Sequence, residues 1–252
     1  LELVRGDPGR RLYTVDHKSE ATATARTSYA DAVTERLPIF PLGAVLFPGL
    51  VLPLQVFEER YRDLMRDLLE GEEPYRFGVV SIELGHEVGP GAARRLAAVG
   101  CTAEIRGVQR HDDGRYDVVT TGGTRFRIED VDDSLAYLRA EVTLLPEEDG
   151  PGADKITGPV TQLFRRYCDR LSEHGAEVAD LGDLPTEPVQ LSYLVAASMV
   201  LDRPDKQRLL QAEDAATRLH LAYDLLRREN LLLEAFPTVP ASEFLGGTVS
   251  PN

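Results

Sequence analysis

The sequence predicts an α+β fold: a small antiparallel β-barrel with one crossover helix, followed by a C-terminal α-helical bundle. Three observations carry that reading. Between Leu37 and about Leu145, apolar and polar residues alternate with the period of strands, punctuated by glycine-bearing turn signals. One stretch inside this half, Phe57 to Glu70, instead repeats its apolar residues with the period of a helix. From Ile156 onward the helical period takes over and is kept to about residue 236.

The elements follow in chain order. Residues 1–36 show neither period and include the near-repetitive run Ala21 to Thr27. They are expected to be a disordered tail or an artefact of start-site choice, with Val33 a candidate start read from a GTG codon. Residues 37–145 form the β-rich part. Leu37 to Phe57 carries no charge and is long enough to cross a bilayer, but it holds Pro38, Pro41, Pro48 and Pro53. Each proline costs a helix about 3 kcal/mol, so short buried extended pieces are expected there. The helix that follows places Phe57, Tyr61, Leu64, Met65 and Leu68 on one stripe, with Gly71 as its stop.

Val99, Cys101, Ala103 and Ile105 then share one strand face, as do Leu138, Ala140, Val142 and Leu144. Phe126 and Ile128 are expected inside, Arg125 and Arg127 outside. Asp113-Gly114 reads as a hairpin turn, and Gly122-Gly123 as a break between two strand-like runs. Residues 146–154, PEEDGPGAD, have the composition of an exposed connector. Residues 155–236 make the bundle: a stripe from Ile156 to Leu171, a buried helix opened by Pro188, a helix capped by Asp202, and a last helix from about Asp214 to Ala235. Residues 237–252 are expected to be a tail.

Composition narrows the function. The 28 basic and 42 acidic residues leave a net charge of −14, which repels phosphate backbones, so neither nucleic acid nor an anionic membrane is an expected partner. Two cysteines, Cys101 and Cys168, are too few for a disulfide scaffold or a four-cysteine zinc site, and each is expected to be a buried thiol. No signal-peptide pattern precedes the apolar run, and a cytoplasmic protein is expected.

The run LPIFPLGAVLFPGLVLPLQVFEERYRDLM, Leu37 to Met65, closely resembles the opening of the LON substrate-binding domain, the N-terminal domain of ATP-dependent Lon proteases. RFGVV (Arg76 to Val80), VGCTAEI (Val99 to Ile105), TRFRI (Thr124 to Ile128), YLRAEV (Tyr137 to Val142), YLVAASMVL with KQRLL, and Arg218-Leu219 extend the resemblance across roughly Leu37 to Ala235. The resemblance implies a PUA-like β-barrel followed by a helical bundle. It also implies a non-catalytic module that binds peptide or unfolded segments of other proteins, with a separate protease or ATPase as a candidate partner.

The motor and the peptidase of that family leave no motif in these residues. The lysines are Lys18, Lys155 and Lys206, and none follows a glycine as a Walker A loop requires. Lys155 lies in the charged connector and Lys206 begins a helix near Asp202 and Asp205, where an ammonium is expected to stay charged rather than serve a Ser-Lys dyad. No catalytic residue, cofactor or metal is therefore expected. His111-Asp112-Asp113 reads as a solvated turn, His86-Glu87 as a loop, and His174 as a helix end. The expected peptide-binding element is the loop Leu46, Phe47, Pro48 and Leu50 with the adjoining helix around Tyr61 and Met65, although core packing is the competing fate of Phe47. A small hydrolase or peptidase is the alternative function, and an RNA-binding PUA-like protein the second alternative, resting on Arg94-Arg95 and Arg125 to Arg127.

Overall fold

The computed structural model describes residues 12–14, 33–85, 93–176 and 182–235. The chain divides into two compact units, Leu1–Leu145 and Pro146–Asn252. The first unit runs β1 (Leu12–Thr14), β2 (Thr34–Leu42), β3 (Val51–Val56), α1 (Glu59–Glu70), β4 (Arg76–Gly85), β5 (Ala93–Leu96), β6 (Val99–Arg110), β7 (Tyr116–Asp132) and β8 (Leu138–Leu144). The second holds α2 (Ala153–Glu173), α3 (Pro188–Ser198), α4 (Arg203–Gln211) and α5 (Ala215–Ala235). The expected tail beyond Pro237 and the loop around His86-Glu87 lie outside the described residues.

In the first unit, β2 pairs with β4, β4 with β6, β6 with β7, β7 with β8 and β8 with β2, so these five strands close on themselves. β3 adds to the first half of β7, β5 to β4, and β1 to the end of β6. The ring is not wholly antiparallel, since β2 and β4 run parallel. A parallel neighbour needs a crossover, and β3 with α1 supplies it. Pairing also begins inside the segment expected as a tail. Thr34, Glu35 and Arg36 register with Thr143, Val142 and Glu141, and Leu12–Thr14 pair with β6. Polar strand residues give no alternation signal, but their backbone groups pair as well as any others.

The ring is filled by Leu37, Ile39, Val80, Phe126, Ala140 and Val142. Two glycines make room for the Phe126 ring: a Cβ at Gly78 or at Gly100 would stand 2.6 Å from its Cζ. A second apolar layer joins the outside of the strands to α1, where Tyr61, Leu64 and Met65 are buried and Phe40 stacks on Tyr61 with centroids 4.0 Å apart. A register shift between Ile105 and Gly107 lets Val108 join this layer together with Ile105, three residues earlier.

Several local expectations change. β7 runs unbroken through Gly122-Gly123, so these glycines are sites of close approach rather than a turn. A Cβ at Gly122 would lie 2.1 Å from the Phe47 carbonyl oxygen, and one at Gly123 would lie 2.6 Å from Thr102 Oγ1. Arg125, expected outside, is 1% exposed. Alternation assigns a side of the strand, and a side chain on the outer side of a closed ring can still be buried. Phe57 precedes α1 rather than entering it and is 38% exposed, while Gly71 ends the helix at φ −81°, without the left-handed turn.

The second unit centres on Arg218, which is fully buried. Its guanidinium donates to the Leu209 carbonyl (3.1 Å), Ser192 Oγ (2.9 Å) and the Ala212 carbonyl (3.4 Å), and it lies 3.9 Å over the Tyr193 ring. Tyr193 donates its hydroxyl to Glu147 at 2.5 Å, and Glu147 stands 3.7 Å from Arg218. The connector is thus a working part of this unit. The carbonyls of Glu148 and Asp149 accept from Ala215 and Ala216, the first N–H groups of α5, while Asp214 caps the same helix through Thr217 N. Gly150, at φ +75°, passes so close to Asp214 that a Cβ would sit 2.3 Å from its carboxyl. A run of acidic residues signals solvent, and only the helix start it covers shows its second role.

Tyr167 accepts from Val200 N and Asn230 donates to the carbonyls of Leu163 and Leu226, joining α2 to the end of α3 and to α5. Cys168 is buried in α2, and burial pushes its thiol pKa up to about 11. At pH 8 the thiolate is then a small minority of an already covered group. Alkylation by iodoacetamide is expected to be at least about 100-fold slower than for free cysteine, rising to the free rate in denaturant. Fast labelling in the native chain, followed by mass spectrometry, would contradict that packing.

Candidate functional site

The loop before β3 is placed by Pro48-Gly49. Leu50 N donates to the Phe47 carbonyl at 3.1 Å and Gly49 has φ +79°, the pattern of a type II turn with proline and glycine at its centre. Gly49 N donates to the Gly122 carbonyl and Gly122 N to the Leu50 carbonyl, both at 2.8 Å, so the loop is stapled to β7. The turn drives Phe47 inward and leaves Leu50 at the surface. Of the expected peptide-binding residues, Leu46 (3% exposed), Phe47, Tyr61 and Met65 are core. Pro48 is half-buried and Leu50 is 38% exposed. The loop and the helix are therefore brought together, but as packing, and only the Pro48–Leu50 tip remains for a ligand.

An exposed apolar surface of this unit lies one strand further on. Leu52, Leu54 and Val56 turn inward, so Val51, Pro53 and Gln55 turn outward. Pro53 sits opposite Val119 and Val51 opposite Thr121. Val51 and Val119 are 59% and 45% exposed, and Gly107 stands opposite Val119 on the far side, where a Cβ would meet nothing within 4 Å. Val51, Pro53, Val119 and Gly107 thus form a low apolar strip across β3, β7 and β6. Polar groups at its two ends have partners: Glu104 pairs with Arg106 at 2.7 Å, and Asp117 hydrogen-bonds the His111 ring at 2.7 Å. Sequence alternation contained this strip, since Val51 and Val119 each break a polar face. Only the pairing register shows that they adjoin.

Among the described residues, His111, Asp113, His174, Cys101 and Lys206 have structural partners. Gly114 at φ +84° and the bonds from Gly114 N to His111 O and from His111 N to Arg115 O make a hairpin turn of the His111 to Arg115 segment, with Asp113 accepting from Arg115. His174 ends α2, with its ring nitrogen 3.1 Å from the Leu233 carbonyl. Cys101 is fully buried, with Sγ 3.5 Å from the Thr102 carbonyl. Burial pushes the Lys206 pKa down from its ordinary value, and its Nζ donates to the Ala197 carbonyl at 3.3 Å. Among the described residues no helix is long and apolar enough to cross a membrane.

The family profile described as the ATP-dependent protease La (LON) substrate-binding domain matches residues 36–228. Lon protease 2 of Myxococcus xanthus is 29% identical over 206 residues, covering 80% of this chain and 24% of that protein. Lon protease of Anaeromyxobacter dehalogenans is 29% identical over 202 residues, with shares of 79% and 24%. The chain thus spans about a quarter of the length of these relatives, and the match is confined to their substrate-binding region. Among solved structures, the Lon N-terminal domain protein from Xanthomonas campestris aligns with a TM-score of 0.53 at 24% identity, covering 77% of this chain and 98% of that one. The N-terminal domain of the Mycobacterium avium complex Lon protease aligns with a TM-score of 0.58 at 21% identity and the same shares.

Proposed function

Because the chain belongs to the LON substrate-binding domain family, we propose that it is a non-catalytic module that holds unfolded or peptide segments of other proteins through the outward face of β3 and β7. The observation that carries the reading is the exposed strip of Val51, Pro53 and Val119 on a backbone held rigid by pairing on both sides of β7. An apolar strip without a neighbouring excess of charge suits side chains of many sequences, and it suits weak, reversible binding. A client would leave the module for a separate protease or ATPase, and the place of work is the cytoplasm.

The test is fluorescence anisotropy with labelled casein, a natively unfolded chain. The double variant Val51→Ser/Val119→Ser is expected to bind about tenfold more weakly, the change that ~1.4 kcal/mol of lost apolar contact produces, with an unaltered melting temperature. Equal binding by the variant would remove the strip from the reading. Casein hydrolysis that persists in repurified protein would replace it with the peptidase alternative.

A further inference from the structure

We propose that the edge of β6 from Arg106 to Arg110 is a strand-addition site for an extended client segment, closed in this chain by its own residues Leu12–Thr14. The proposal rests on the polypeptide-binding reading above and names the backbone that does the holding.

Two strand edges flank the apolar strip, and they are not equivalent. Gly122 N donates to the Leu50 carbonyl, and continuing that alternation along the ladder makes Leu52/Thr120 and Leu54/Val118 the pairs that exchange hydrogen bonds. Val51, Pro53 and Gln55 consequently direct their backbone groups away from β7, to the free edge of β3. Pro53 has no N–H, and it stands in the middle of that edge. A strand cannot be added there in full register, which is the usual way proteins blunt an edge.

The β6 edge is open in the respect that matters. The same alternation turns Asp117 and Val119 of β7 toward β6, in agreement with the bond from His111 N to the Arg115 carbonyl. Gly107 and Gln109 therefore bond to β7, and Val108 and Arg110 present their N–H and C=O on the other side. β4 covers that side only as far as Ile105, whose N–H donates to the Tyr75 carbonyl. Past the register shift at Ile105 to Gly107, the place beside β6 is taken by β1, antiparallel, with Tyr13 opposite Val108. No proline interrupts β6.

Among the described residues β1 is three residues long, and of the two outward-facing positions Val108 lies opposite Tyr13 while Arg110 has none of them opposite it. An extended client that reaches both can make a second reciprocal pair and displace it. Beside the added strand, Gly107 leaves open space next to exposed Val119, so the client's outward side chains would meet the apolar strip. Backbone pairing would give sequence tolerance, and the strip a preference for apolar residues.

The experiment compares the full chain with its Tyr13→Pro variant, which removes the N–H opposite Val108. It follows amide exchange at Val108 and Arg110 by NMR and the binding of labelled casein. In the variant, Val108 exchange is expected to rise at least about tenfold, and a synthetic peptide of residues 9–16 or casein to restore protection. Casein is expected to bind the variant about fivefold more tightly, since the open edge is no longer a minor state, and the peptide to displace it from both chains. Equal casein affinity in the two chains, with the strip variant still weakened, overturns the edge site and leaves the function standing. Casein that binds neither chain, while the peptide still protects Val108 in the variant, overturns the function reading instead and with it the client side of this proposal. A second substitution, Tyr13→Gly, keeps the N–H and is expected to fall between the parent and the proline variant.

Discussion

Replacing Arg218 with alanine is expected to destabilise the helical unit by about 3–5 kcal/mol, the range for breaking a buried ionic group out of its network. The substitution leaves the Leu209 and Ala212 carbonyls and Ser192 Oγ without the donor they now face, and it opens a cavity against the Tyr193 ring. Arg218→Lys should recover little, because a single ammonium cannot reproduce a planar fork that reaches three acceptors and stacks on a ring. Tyr193→Phe removes only the hydroxyl that holds Glu147, and about 1 kcal/mol is expected there. Urea unfolding followed by helical circular dichroism gives all three values. A loss under about 1 kcal/mol for Arg218→Ala would mean that the guanidinium is not the centre of this unit.

The second large effect is expected at Gly122. A Cβ there stands 2.1 Å from the Phe47 carbonyl oxygen and 2.9 Å from its carbon, both backbone atoms in a loop stapled to this same residue. Nothing flexible can yield, so Gly122→Ala must push the Pro48-Gly49 turn off β7, breaking two hydrogen bonds and lifting Phe47 from the core. A loss of about 3 kcal/mol is expected, the upper end for an overpacked core. The variant should also bind a dye that reports exposed apolar surface. Gly107→Ala is the control: its Cβ meets nothing within 4 Å, and alanine suits a strand at least as well as glycine, so stability should change by less than about 0.5 kcal/mol. If the two alanines behave alike, the close approach of loop and β7 is wrong.

The two glycines also show why the site was only partly legible. In the sequence, Gly122-Gly123 has the form of a turn, because a tight turn and a close approach of two backbones ask for the same missing side chain. The choice between them depends on what lies across from the residue, and Phe47 is seventy-five positions earlier in the chain. Most of the expected ligand residues are buried for a related reason. Phe47 next to Pro48-Gly49 reads first as a core residue delivered by the turn and second as an exposed aromatic on it. The type II turn fixes the direction of the chain and thereby buries the ring, and Tyr61 and Met65 follow it inward as the apolar stripe of α1.

What the sequence determined by itself was everything set by local period and by punctuation. The alternation of Val99 to Ile105 and of Leu138 to Leu144, the stripe of Tyr61, Leu64 and Met65, the Asp202 cap with Pro204, and the LON-like run from Leu37 to Met65 all depend on neighbours within a few positions, and each is visible without a fold. What only the tertiary structure decided was the partner of each face. Strand register makes Val51, Pro53 and Val119 one strip and closes β2, β4, β6, β7 and β8 into a ring, while the packing of the helices buries Arg218 and turns an acidic connector into the cap of α5. A single chain position carries its own preference for water, but burial and hydrogen bonding are properties of pairs. For Val51, Pro53 and the connector the other member of the pair lies more than sixty positions away, and for Arg218 the acceptors are spread from Ser192 to Ala212.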